Sequence, residues 1–261
     1  MHIKKPWTML LALLSYGASQ AAYSAESDSW QFEVTPYLFA AGIDGTVGVR
    51  GVTSDIDASF SDIVDDLDLA FMGLITARKG PWTYGLETIY VKLSDKEAKS
   101  VTGPFGQVTV NGALDVTSEI SITQGSVAYR VLDTSTALDM IWALRYTKLD
   151  TEANVAITTT PGIVFPGGSK SASGSDGWTD AVIGVRVLQP LNEQWSLLGY
   201  ADVGGGGSNL TYQFMLGANW EFAKDFTAKV GYRQLYWDYE KDGTVWDMTM
   251  GGPYLGLGIK F

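Results

Sequence analysis

The C-terminal stretch Trp246-Asp247-Met248-Thr249-Met250-Gly251-Gly252-Pro253-Tyr254-Leu255-Gly256-Leu257-Gly258-Ile259-Lys260-Phe261 decides the fold. Leu255, Leu257, Ile259 and Phe261 are apolar at every second position, and Tyr254, Gly256, Gly258 and Lys260 fill the places between. A period of two puts the two sets on opposite faces of one strand. An unbroken apolar row that ends on a terminal aromatic is the pattern of a closing strand in a barrel whose outside meets lipid. An ordinary edge strand would end the same way, so the rest of the chain has to choose between them.

At the other end, Lys4 and Lys5 precede an apolar run from Trp7 to Leu14 and then small residues through Ala25. This order reads as a secretory signal peptide over residues 1–24, cleaved after Ala21 or Ser24, followed by one domain over residues 25–261. The apolar run is too short for a membrane-spanning helix, and no later segment has the roughly 18 uninterrupted apolar residues that one needs. Cleavage removes Lys4, Lys5 and the one histidine, so the formal charge of −11 becomes −13. With no cysteine in the chain, disulfides, thiol chemistry and cysteine metal sites are excluded. Thirty glycines, nine tryptophans and thirteen tyrosines fit Gly-rich strands with aromatic girdles.

About ten strands can be read, within a range of eight to twelve, beginning near Trp30, Leu67, Trp82, Leu114, Thr136, Trp178, Trp195, Asn209, Phe226 and Trp246. Short connections rich in turn formers fall at Lys79-Gly80-Pro81, Leu132 to Ser135, Gln189 to Gln194 and Ala223 to Asp225. They alternate with connections read as long: Asp44 to Asp66, Asp95 to Gly112, Asp150 to Gly177, Gly204 to Ser208 and Glu240 to Thr244. Sorting of turns by parity predicts an all-β, closed antiparallel transmembrane barrel with short periplasmic turns and long outer loops. Around Gly125 the apolar phase changes, from Ile120 and Ile122 to Val127, Tyr129 and Val131, which predicts a β-bulge there. Between Ser59 and Asp68 the period becomes helical, with Phe60, Ile63, Val64 and Leu67 on one side and Ser59 with Asp62 as a capping pair. This predicts one short helix in the first outer loop, folding over or into the barrel mouth.

Thr35-Pro36-Tyr37-Leu38, Phe60-Ser61-Asp62-Ile63, the run Gly199-Tyr200-Ala201-Asp202-Val203-Gly204-Gly205, Gly231-Tyr232-Arg233, Asp238-Tyr239 and the segment from Asp247 to Leu257 follow one another in order. In these stretches the chain resembles a broad, largely uncharacterised family of proteobacterial outer-membrane β-barrel, porin-like proteins. The resemblance implies a fold and a location in the bacterial outer membrane, and carries over no catalytic residue. Tyr254, Gly256, Ile259 and Phe261 also resemble the signal that such barrels present to their outer-membrane insertion machinery. Further partners implied are outer-membrane lipid and lipopolysaccharide.

Alternation assigns the lumen charges Asp68, Arg78, Glu87, Glu119, Asp139, Arg145, Asp180, Arg186, Asp202, Glu221, Lys229, Arg233 and Lys260. The set is nearly self-neutral, and in a barrel of this size such charges bridge across the interior. The expected function is therefore a non-enzymatic, porin-like barrel with a narrow or occluded lumen and at most cation-favouring passage of small solutes. The alternative is a structural barrel, or one that binds through its loops. No histidine remains as acid or base, no cofactor is implied, and the acidity argues against nucleic acid. Asp57, Asp62, Asp65 and Asp66 are the expected groups for diffuse divalent bridging to lipopolysaccharide, with no ordered metal site.

Overall fold

The computed structural model describes residues 29–49, 52–102, 109–160 and 168–261. The expected signal peptide and its cleavage sites lie outside the described residues. The chain forms β1 (Gln31–Phe39), β2 (Gly42–Val49), β3 (Val52–Ala58), α1 (Phe60–Asp65), β4 (Leu67–Lys79), β5 (Trp82–Thr102) and β6 (Thr109–Asp133). It continues through β7 (Ala137–Thr160), β8 (Gly168–Pro190), β9 (Trp195–Gly206), β10 (Leu210–Ala223), β11 (Phe226–Lys241) and β12 (Thr244–Lys260). Neighbouring strands pair antiparallel in the order β1-β4-β5-β6-β7-β8-β9-β10-β11-β12, and β1 returns to β12 to close the ring.

Ten wall positions result, because β1 and β2 are the two halves of one interrupted strand. The periplasmic half of β12, from Tyr254 to Lys260, pairs with β1, and its outer half, from Thr244 to Gly251, pairs with β2. At the break the Ala40 N–H donates to the Pro253 carbonyl at 2.9 Å. Gly252 faces this junction, and a Cβ there would lie 2.0 Å from the Ala40 carbonyl oxygen. The β2–β3 hairpin replaces what the sequence suggests is loop. Its apolar residues Ile43, Val47, Val49, Val52 and Ile56 do alternate with Asp44, Thr46, Thr53, Asp55 and Asp57, but Gly42, Gly45, Gly48 and Gly51 break the pattern into short pieces that read as loop.

Outward side chains form an exposed apolar belt that includes Leu38, Phe71, Leu144, Ile183, Leu216 and Leu255, the first 70 % exposed. A belt of this extent is stable only against lipid. Aromatic pairs bound it: Trp195 and Trp220 stack at 5.7 Å near the short turns, and Tyr212 and Tyr236 at 4.8 Å near the other end. Between them, Tyr212 to Trp220 of β10 is about the 9–11 residues that a tilted strand needs to cross. No helix among the described residues is long and apolar enough to cross a membrane, and the crossing is made by strands.

Four periplasmic connections are tight, and Gly80 takes φ +55° in the first of them. The outer ends differ from the expectation of long loops. Asp242 and Gly243, at φ 53° and 84°, join β11 to β12 in a two-residue turn of the kind that matches strand twist. The outward reach comes from β5 to β8, of 21, 25, 24 and 23 residues, about twice what the bilayer requires. Above the membrane both faces of a strand meet water, so alternation disappears and such segments read as loop.

Helix α1 forms as expected, with the Ser59 and Asp62 side chains capping each other's backbone N–H groups. It does not enter the barrel, since none of its residues is buried. No bulge occurs at Gly125: it pairs in continuous register with Leu86 and Leu144, and the irregularity lies between Arg130 and Leu132. Parity is therefore constant from Ile120 to Arg130, and Ile120 and Ile122 point into the lumen, 5 % and 3 % exposed.

Gly252→Val should cost about 3 kcal/mol, because the clash is with backbone that cannot rotate away. Gly125, where an added Cβ meets nothing within 4 Å, should accept alanine. Heat-dependent gel mobility after refolding into detergent checks both: the first variant should lose most of the fast-migrating folded band and the second should keep it.

Candidate functional site: the lumen

Side chains divide the lumen into three layers. The outer one is apolar. Phe39, Ile89, Val91, Ile120, Ile122, Leu149, Trp178, Leu235, Trp237, Tyr239 and Met250 form a single buried cluster inside the wall. Trp178 and Tyr239 stack at 4.0 Å between β8 and β11, the strands that flank the short β9–β10 hairpin. These residues sit at lumen-facing positions just above the crossing segment, so they plug the barrel's outer end.

The middle layer holds two arginines. Arg233 of β11 reaches across to Glu87 of β5, with Nη1 at 2.7 Å and Nη2 at 3.1 Å from its two oxygens. The same guanidinium donates to the Tyr37 hydroxyl at 3.0 Å and from Nε to Gln213 at 2.9 Å. Its carbon lies 5.6 Å from the centre of the Phe39 ring, which ties this layer to the apolar plug. Arg145 of β7 donates to Gln124 at 2.8 Å, Thr211 at 2.9 Å and Asp202 at 2.6 Å, and the Tyr200 hydroxyl donates to the same Asp202 oxygen at 2.5 Å. Arg145 and Arg233 are each 1 % exposed. The Tyr254 ring fills the space left by Gly217 and Gly231, where added Cβ atoms would fall within 3 Å of it.

Below them a cavity of about 700 Å³ opens between the periplasmic strand ends. Arg78, Glu87, Arg186, Glu221, Lys229, Arg233 and Lys260 line it, while Asp139, Arg145, Asp180 and Asp202 are buried in the inner wall. Asp180 forms no crossbar: its Oδ1 accepts the N–H groups of Gly207 at 3.0 Å and Ser208 at 2.7 Å, and so pins the β9–β10 turn. Tyr254 and Gly256 face the lumen, whereas Phe261 is exposed at the rim.

Two residues assigned to the lumen lie elsewhere. Glu119 shares the outer face of the wall with Lys92, which it pairs at 2.9 Å, and with the Tyr90 hydroxyl at 3.0 Å. Its misplacement follows from the bulge that does not exist. Asp68 sits at the register shift between Leu67 and Leu69, exposed, and accepts from the Ser94 hydroxyl at 2.6 Å. With Lys148 and Asp150, paired at 2.6 Å, Lys92 and Glu119 form an outward charged band where the apolar belt ends.

Sequence reasoning missed Arg130 and Glu33. Arg130 is 8 % exposed and bonds both Asp139 and Asp133, and Glu33 takes the Lys229 ammonium. Holding the phase of Val127, Tyr129 and Val131 along the whole strand would have placed Arg130 and Gln124 inside and Glu119 outside.

Among the acidic residues of the outer connection, Asp57, Asp62 and Asp65 are exposed and Asp66 half-buried. Asp62 is committed to its helix cap, accepting from the Ser59 hydroxyl at 2.6 Å and the Ser59 N–H at 2.9 Å. Those bonds hold its carboxyl below the usual carboxylate range. The cap is thus intact above the ordinary Asp pKa and is lost only as pH falls through the lowered value. Among the described residues no three His, Cys, Asp or Glu side chains are grouped to hold a metal ion.

Removing one partner of a buried ion pair leaves the other charge stranded. Arg233→Met should therefore destabilise the barrel by about 3–5 kcal/mol. Arg233→Met combined with Glu87→Leu should recover most of the loss. Urea unfolding in lipid vesicles, followed by tryptophan fluorescence, measures both.

No family model matches the chain, and no curated protein matches it. Solved structures do. The outer membrane protease OmpT of Escherichia coli superposes with a TM-score of 0.51 at 10 % identity, over 92 % of this chain and 99 % of that one. The translocator domain of the autotransporter NalP from Neisseria meningitidis gives 0.42 at 14 % identity, over 92 % and 90 % of the two chains. The attachment invasion locus protein Ail of Yersinia pestis gives 0.32 at 11 % identity, over 90 % and 100 %. At these identities the likeness to OmpT concerns the fold, and the chain shares with it a closed antiparallel barrel.

Proposed function

We propose that this chain is an integral, non-enzymatic barrel of the bacterial outer membrane whose lumen is closed to solutes, so that it acts by binding at its ends. The observation that carries this reading is the order of the layers. An ion or sugar entering from outside meets the packed layer of Ile89, Ile122, Leu235 and Trp237 before it reaches Arg233 and Arg145, whose donors are engaged by side chains of other strands. Dry apolar constrictions stop ions without any charged gate. Porin-like architecture is thus combined with a filled interior, which is the occluded form of the function expected from alternation, and cation-favouring passage is not supported by it.

The proposed lack of catalysis rests on the chemistry of the side chains. The described residues contain no histidine, and the buried carboxylates Asp139 and Asp202 are bound by arginine and held as acceptors. Lipopolysaccharide and lipid remain the proposed neighbours of the outward belt, with the band of Lys92, Glu119, Lys148 and Asp150 at headgroup level.

Planar-bilayer recording tests the closure. The purified barrel should give no discrete ohmic steps in molar potassium chloride. Ile89→Ser combined with Leu235→Ser, which wets the plug without touching either arginine, should produce small steps. Large steps from the unaltered chain would overturn the reading.

A further inference from the structure

The periplasmic cavity is unevenly charged. Towards β1 and β10 to β12 every cation has a carboxylate: Lys229 with Glu33, Lys260 with Glu221 at 2.6 Å, and Arg233 with Glu87 at 2.7 Å. The remainder of the wall, from β4 to β8, carries Arg78 on β4, Arg130 on β6 and Arg186 on β8, all lining the same cavity. Asp139 serves two of them, accepting from Arg130 Nε and from Arg186 Nε at 2.8 Å and Nη2 at 2.7 Å. Asp133 accepts from Arg130 Nη1 at 2.8 Å but is 43 % exposed. Arg78 uses only its Nε, which donates to the Gly80 carbonyl at 3.2 Å, and it forms no ion pair among the described residues. Three guanidiniums thus share two carboxylates, and the terminal nitrogens of Arg78 and Nη1 of Arg186 have no acceptor among those residues.

The surroundings make that surplus count. Leu74, Ile141, Leu188 and Leu198 line the cavity beside these arginines, so the free N–H groups face a space with apolar walls where charge is screened less than in bulk water. The fork of a guanidinium matches the paired oxygens of a carboxylate or phosphate. The apolar plug closes the far side, so the ligand reaches the site from the periplasm.

We propose that the Arg78–Arg130–Arg186 wall is a binding site for one small anion bearing a carboxylate or phosphate group. Arg78 and Arg186 hold its oxygens, and Arg130 is fixed behind them by Asp133 and Asp139. The site extends the reading of a barrel that binds at its ends and stands on its own geometry, since it needs no conduction and would survive an open plug.

Calorimetric titration of the folded barrel in a maltoside detergent with inorganic phosphate, and separately with succinate, tests the proposal. Saturable binding near one anion per barrel is expected for at least one probe, weakened about tenfold or more by Arg78→Gln and by a smaller factor by Arg78→Lys, which keeps the charge but loses the fork. Lys92→Gln, on the outer face, should change nothing. Arg78 has no carboxylate partner to strand, so its variants should fold, as heat-dependent gel mobility will show.

Repeating the titration in phosphatidylcholine discs with and without phosphatidylglycerol separates two sources. Competition by the anionic lipid assigns the site to a headgroup, and no competition assigns it to a free anion. Absence of saturable heat with both probes, or binding that Arg78→Gln leaves intact, would overturn the proposal, whereas conductance through the unaltered barrel would overturn only the closure.

Discussion

Every backbone amide inside the hydrocarbon must find a partner within the protein, since each one left open there costs several kcal/mol. In this chain the requirement falls on β1. It pairs with β4 on one edge, from Gln31 to Pro36, and with β12 on the other, from Glu33 to Phe39, so the first strand joins the last and no edge is left within the bilayer. The rest of the architecture follows from that double pairing. β12 has to be long enough to serve β1 below and β2 above. The wall has to bend where it changes partner, and only a residue without a side chain fits at Gly252.

Closure at ten strands fixes how wide the interior is, and the width decides what can fill it. An arginine is long enough to cross, and Arg233 does so from β11 to the Glu87 carboxylate on β5. Such a pair adds little net stability, because both ions are taken out of water. Its effect is on selection among arrangements: a wall shifted by one residue would turn Arg233, Glu87 and Arg145 towards lipid and their apolar neighbours inward. The buried polar layer and the alternating belt therefore specify the same register from opposite faces.

Where a strand had lipid on one side and water or polar groups on the other, alternation was legible. In Asn209 to Phe222 and Phe226 to Arg233 the apolar and polar residues alternate in step with the outer and inner faces of the wall, and in the closing strand likewise. Legibility failed where the inside is as apolar as the outside. In β6, Ile120 and Ile122 belong to the lumen plug, and reading them as lipid-facing required a bulge at Gly125 and sent Glu119 to the wrong side. It failed again above the membrane, where β5 to β8 have water on both faces and no period to show. The partners in the lumen were beyond sequence for a different reason. That Arg145 meets Asp202 or Arg233 meets Glu87 depends on shear and strand tilt, which no local pattern encodes.

The apparent loss of period in β6 carries functional information that a bulge would have hidden. Apolar residues on both phases of a barrel strand mean that the lumen at that height is dry, and Ile89 and Val91 on the neighbouring β5 show the same double pattern beside Tyr90. Two adjacent strands with this signature place a plug at one height, and the side on which the polar inward residues resume gives the direction in which the barrel stays open. Here Glu87, Gln124 and Arg130 lie towards the short turns. The chain's inner polar surface therefore faces the periplasm, while its outer end is built from apolar packing inside and a charged band outside. The proposed closure and the proposed anion site follow the same polarity, with packed apolar side chains on the outer side of the buried arginines and a polar-lined cavity on the side of the short turns.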